Sequence, residues 1–99
     1  MKTYAIRRKE AWGSPEEVKE VGARSKEVAD SEFPTDVHWI RTYVLAEDDG
    51  TLGSFCIYQA TDPEAIRRHA HRSGMPADEI LEVADMVLVR PDPAPEPIA

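Results

Sequence analysis

Residues 55–76 read FCIYQATDPEAIRRHAHRSGMP, and their pattern decides the fold. The run from Phe55 to Ala60 is aromatic and β-branched, as a strand requires. Asp62 followed by Pro63 supplies a helix cap and a first-turn proline, and Gly74 before Pro76 supplies a left-handed stop. The segment is therefore a strand that feeds a helix over residues 63–73. On that helix Ile66, His69, Ala70 and Ser73 form one stripe, which points His69 inward, whereas His71 lies two residues on and faces out.

Working back from Phe55, the spacing predicts a strand over residues 37–46, VHWIRTYVLA, joined to the strand over residues 52–60 by a hairpin at Asp49-Gly50, because both central turn residues tolerate positive φ. A two-residue turn pairs Tyr43 with Cys56 and Arg41 with Tyr58. It puts Ile40, Val44, Phe55 and Ile57, with His38 at the end, under the helices. Trp39, Arg41, Tyr43, Cys56 and Tyr58 are then left on the open face as ligand-binding or interface residues. An odd loop or a bulge would exchange these faces.

Upstream, residues 2–8 form a first strand with Tyr4 and Ile6 on one side, and residues 11–13 a connector. Ser14-Pro15-Glu16-Glu17 opens a helix through a capping box. Its narrow inner face carries Val18, Val21, Gly22, Ser25, Val28 and Ala29. Downstream, residues 76–82 read as a further helical turn with Ile80 and Leu81 packing, residues 83–90 as the last strand, and residues 91–99, with Pro93, Pro95 and Pro97, as an extended disordered tail. The order β-α-β-β-α-β is the split βαβ arrangement of an α+β, ferredoxin-like sandwich: a domain of residues 1–90, with two helices on one face of a four-stranded antiparallel sheet. The other face is expected to be covered by a second subunit, giving a homodimer.

Composition removes several functions. Twelve Lys+Arg against nineteen Asp+Glu give a formal net charge of -7, the wrong sign for a nucleic-acid backbone or an anionic membrane. One cysteine and an N-terminus without an apolar h-region indicate a cytoplasmic protein. The absence of a phosphate-binding glycine loop, CxxC, HExxH or GxSxG argues against a nucleotide-dependent or classical hydrolytic enzyme. Two constellations remain. His38 and His69, imidazoles suited to nickel, copper or zinc, are the candidate metal ligands, with Asp36 or Glu64 as a completing carboxylate. Cys56 beside Tyr43 and Tyr58 is the second, and its bland reading is a small buried residue at an interface.

The runs Val37-His38-Trp39-Ile40-Arg41-Thr42-Tyr43-Val44, Phe55-Cys56-Ile57-Tyr58-Gln59-Ala60, Pro63-Glu64-Ala65-Ile66-Arg67-Arg68-His69-Ala70 and Gly74-Met75-Pro76-Ala77-Asp78 with Ile80 resemble a family of small bacterial proteins carrying a domain of unknown function. Its best-known relative is a nickel-binding protein with a dimeric ferredoxin-like fold. The resemblance spans residues 3–90 and implies a dimer that binds nickel in a sequestering or sensing role. The alternative is a small-molecule-binding protein or small enzyme of the dimeric α+β-barrel type, with a pocket lined by Trp39, Tyr43, Cys56 and Tyr58.

Overall fold

The computed structural model describes residues 1–75 and 77–94. The chain runs β1 (Lys2–Trp12), α1 (Pro15–Glu32), β2 (Val37–Ala46), β3 (Leu52–Ala60), α2 (Pro63–Ser73) and β4 (Glu79–Glu82). The four strands form one antiparallel sheet in the order β2-β3-β1-β4, which is the expected ferredoxin-like topology.

Both helices begin as their sequences dictate. Ser14 Oγ accepts from Glu17 N at 3.2 Å, and the Glu17 carboxylate returns to Gly13 N at 3.0 Å, so the box closes one residue upstream of the cap. Asp62 Oδ1 accepts from Ala65 N at 2.8 Å, and Gly74 ends α2 with φ 70° in the left-handed region. The helices are tied together by Arg24 Nε donating to the Ser73 carbonyl at 2.9 Å and by a two-pronged Arg72–Glu32 pair at 2.7 and 3.0 Å. Beneath them Tyr4, Ile6, Val37, Cys56, Tyr58, Ala60, Ala65 and Ile66 form the core, with Phe33, Trp39 and Ile80 packed against it.

Three boundaries differ from expectation. The first strand runs on to Trp12, with an irregularity between Arg8 and Trp12 where Glu10 takes a positive φ of 48°. The last strand is Glu79–Glu82, not residues 83–90, and the expected helical turn is thus part of the sheet. The register explains this. Tyr4 pairs with Glu82, and the next ladder bond, Val83 N to Thr3 O at 2.9 Å, reaches the beginning of β1. Met86–Val89, for all their strand propensity, have run past their partner and stand exposed. Lys2–Glu82 and Lys9–Glu79 ion pairs flank the short edge strand. The last part of the expected tail, residues 95–99, and Pro76 lie outside the described residues.

The hairpin is the third difference, and the one that matters most for the site. The ladder closes at Ala46 and Leu52, with Glu47 N bonded to Thr51 O at 3.0 Å, so residues 47–51 make an odd loop. Thr42 therefore pairs with Cys56 and Tyr43 with Phe55. A bulge between Trp39 and Arg41 shifts the register once more and sets Trp39, in place of the expected Arg41, opposite Tyr58. Among the described residues no helix is long and apolar enough to cross a membrane.

Candidate functional site

The register change moves the site residues. Trp39, Cys56 and Tyr58, expected on the open face, lie under the helices, while Arg41 and Tyr43 stay outside. The expected pocket of Trp39, Tyr43, Cys56 and Tyr58 is therefore split by the thickness of the sheet. On the open side, Asp92 accepts from Arg41 Nη1 at 2.5 Å and from the Tyr43 hydroxyl at 2.9 Å, so residues 83–92 run back across that face. A shallow depression there is lined by Ile40, Tyr43, Ile57, Gln59 and Met86.

His38 and His69, expected on one side, are separated as well. Val37 is buried and Trp39 packs on the core, so strand alternation turns His38 between them to the open side, where its exposed ring reaches the Pro34 carbonyl at 3.2 Å. His69 is fully buried between the helices and the sheet, as its place on the helical stripe requires. Its Nε2 lies 2.9 Å from the Ser25 carbonyl, which fixes the proton on Nε2. Nδ1 then carries a lone pair, buried and without a hydrogen bond among the described residues. Tyr58 tilts against the ring at 5.7 Å and Phe33 meets it edge-on at 6.1 Å. His71 sits on the outer surface among Arg67, Arg68 and Arg72, a poor setting for a cation.

Burial holds the His69 pKa below its ordinary 6.5, and the nearby Arg8 guanidinium adds to the effect, against the Ser25 carbonyl that favours the charged ring. The unfolded chain thus binds this proton more readily than the folded one. The stability contributed by neutral His69 is complete above about pH 6.5 and falls as the pH drops toward the folded value, with a slope no steeper than about 1.4 kcal/mol per pH unit. Urea midpoints measured down through this range are expected to fall less steeply for His69→Gln than for the parent. Parallel profiles would assign the acid sensitivity elsewhere.

Arg8 was not anticipated as a site residue, yet it is fully buried, and its Nη1 donates to Cys56 Sγ at 3.2 Å. Its position was legible: Tyr4, Ile6 and Arg8 alternate along one strand, so whatever buries the first two must also bury the third. Thr42 Oγ1 reaches the same sulfur at 3.1 Å and accepts from Trp39 Nε1 at 2.7 Å. An indole N–H can only donate, so the Thr42 proton is directed at the sulfur. Cys56 is thus the acceptor at the end of a Trp39-Thr42 relay as well as of Arg8. It does not meet an imidazole there: the His69 Nε2 is committed to Ser25.

Among the described residues, no three His, Cys, Asp or Glu side chains stand together as a group able to hold a metal ion, so they do not form a complete centre within one chain.

Residues 4–83 match the family model described as "Nickel responsive protein SCO4226-like". Among solved structures, the fold is similar to that in the crystal structure analysis of SCO4226 from Streptomyces coelicolor A3(2), with a TM-score of 0.66 and 20% identity over 86% of this chain and 99% of that one. No curated protein matches the sequence. The family model spans most of the chain and the solved structure repeats its topology, so the protein belongs to the nickel-responsive SCO4226-like family.

Proposed function

We propose that this protein is a cytoplasmic homodimer that binds nickel in a sensing or sequestering role, with His38 as the imidazole donor and the remaining donors shared between two copies across the open sheet face. The family's description supports the metal. The observation that carries the site is the contrast in placement among the three histidines: His69 is fully buried under the helices, His71 stands beside Arg67, Arg68 and Arg72, and His38 is exposed on the face that a second copy would cover. Asp36, two residues before His38, supplies a nearby carboxylate of the kind nickel accepts alongside imidazole. Glu64 is less suited because Arg67 already pairs with it. The open face carries exposed Ile40 and Tyr43, apolar surface that dimerisation would bury.

Calorimetric titration of tag-free protein with nickel, run beside a solution mass measurement, tests this. His38→Ala is expected to weaken binding about tenfold or more, and His69→Gln to leave it unchanged. Undiminished affinity in His38→Ala overturns the ligand assignment, and a nickel-free monomer under all conditions overturns the function.

A further inference from the structure

Residues 86–89 read Met-Val-Leu-Val, with no charge, glycine or proline, and each is between 68% and 84% exposed. Beyond Val83 N, which bonds Thr3 O, residues 84–92 make no backbone–backbone hydrogen bond among the described residues. The run is thus strand-forming in composition and without a ladder. Side chains in a strand alternate between two faces, so lying flat on one surface buries only half of these four, whereas a place in a sheet covered on both sides buries them all.

The chain's own sheet offers no such place. Val83 continues the line of β4, at one edge of the order β2-β3-β1-β4. From there the chain leaves that edge, which the Lys2–Glu82 and Lys9–Glu79 pairs keep charged, and Met86 already lies over the open face beside Ile40 and Tyr43. Asp92 then reaches Arg41 and the Tyr43 hydroxyl of β2. A fifth strand beyond β2 would stand four strand spacings from β4, about 19 Å. Three residues take Met86 only about 10 Å from Val83, so the run is aimed at β2 but is too short to line that edge in its own subunit.

β2 is the complementary half. It is an outer strand of ten residues without glycine or proline, and Arg41 is its only permanently charged side chain, although protein edges are ordinarily guarded against pairing by charge or proline. From these features we infer that, in the homodimer proposed above, on which this rests, residues 86–89 of each copy add as a fifth strand to the β2 edge of the other. The exchange is reciprocal, as a two-fold axis requires, and Asp92 passes from its own Arg41 and Tyr43 to the same two side chains of the second copy. The four strands, of 11, 10, 9 and 4 residues, present roughly 550 Å² of open face at about 3.4 Å per residue and 4.8 Å per strand. The donated runs raise this toward the roughly 800 Å² per partner of a stable interface.

Isotope-filtered NMR on a mixture of labelled and unlabelled full-length chains, at a concentration where the solution mass is that of a dimer, tests the exchange. Contacts between residues 86–89 of one copy and residues 37–46 of the other are expected, with slowed amide exchange in both segments. Val87→Pro, which removes a ladder donor, is expected to weaken dimerisation at least tenfold. It should leave the urea midpoint of the diluted monomer unmoved, because Val87 is exposed there, and Val87→Ile should dimerise as the parent does. A dimer in which residues 86–89 exchange freely and touch no β2 residue of the second copy overturns the strand exchange while leaving the homodimer in place. So does a Val87→Pro chain that dimerises as tightly as the parent. A chain that stays monomeric at every concentration, with nickel and without, overturns both.

Discussion

Tyr58→Ala is expected to lower the unfolding free energy by about 3–5 kcal/mol, whereas Tyr58→Phe is expected to leave it unchanged or raise it. The large loss follows from a fully buried ring at the centre of the core, packed against Trp39 and His69, which alanine would replace with a void. The small effect of phenylalanine follows from the hydroxyl, which is fully buried and has no hydrogen bond of normal geometry among the described residues. Burial, reinforced by the neighbouring Cys56, pushes the phenol up to about 12 from its ordinary 10.0, despite the opposing influence of Arg8 and Ser25. A phenol that ionises less readily when folded contributes stability that is complete below about pH 10 and is lost as the pH rises toward 12. Tyr58→Phe should therefore flatten the alkaline limb as well. Urea denaturation across pH reads both effects, and a phenylalanine variant less stable by more than about 1 kcal/mol would show that the hydroxyl is satisfied after all.

Gly53→Ala is expected to destabilise the protein by about 1–3 kcal/mol, a large loss for one methyl group. At this position on β3 a Cβ would stand 2.5 Å from the Arg8 carbonyl, 2.6 Å from Glu47 Oε1 and 2.8 Å from Arg7 Nη1. The side-chain atoms belong to the Arg7–Glu47 pair, closed at 2.8 Å, and could swing away. The carbonyl could not move without parting β1 from β3 beside the buried Arg8. The variant should accordingly lose stability and also disturb the Trp12 and Trp39 resonances, through the strands that carry Arg8 and Cys56. An unchanged urea midpoint would mean that the two strands can separate at this point without cost.

The ferredoxin-like order was readable because its punctuation is local. Ser14-Pro15 and Asp62-Pro63 start helices, Gly74 stops one, and these signals act within a turn of the residues they control. The site was harder, because one residue of loop length decides which side of the sheet a whole strand presents. Nothing in Glu47-Asp48-Asp49-Gly50-Thr51 by itself distinguishes a two-residue turn from the longer one, in which Asp49 Oδ1 accepts from Thr51 N at 2.9 Å. The consequence was that Cys56 and Tyr58 were expected outside, although the inward stripe of α2 placed His69 correctly. Residues 83–90 misled for a different reason. Their composition is that of a strand, but a strand needs a neighbour, and β1 begins too late in space to provide one.

The central position of β1 also constrains synthesis. This first-made strand holds its place between partners at Leu52–Ala60 and Glu79–Glu82, both of which emerge from the ribosome much later. Until then Tyr4 and Ile6 have no sheet to enter, and the β2–β3 hairpin, whose contacts are local, can form before β1 joins it. A nascent chain arrested after residue 46 should accordingly remain open to protease along its N-terminal strand, and protection should arise only when β3 has cleared the exit tunnel.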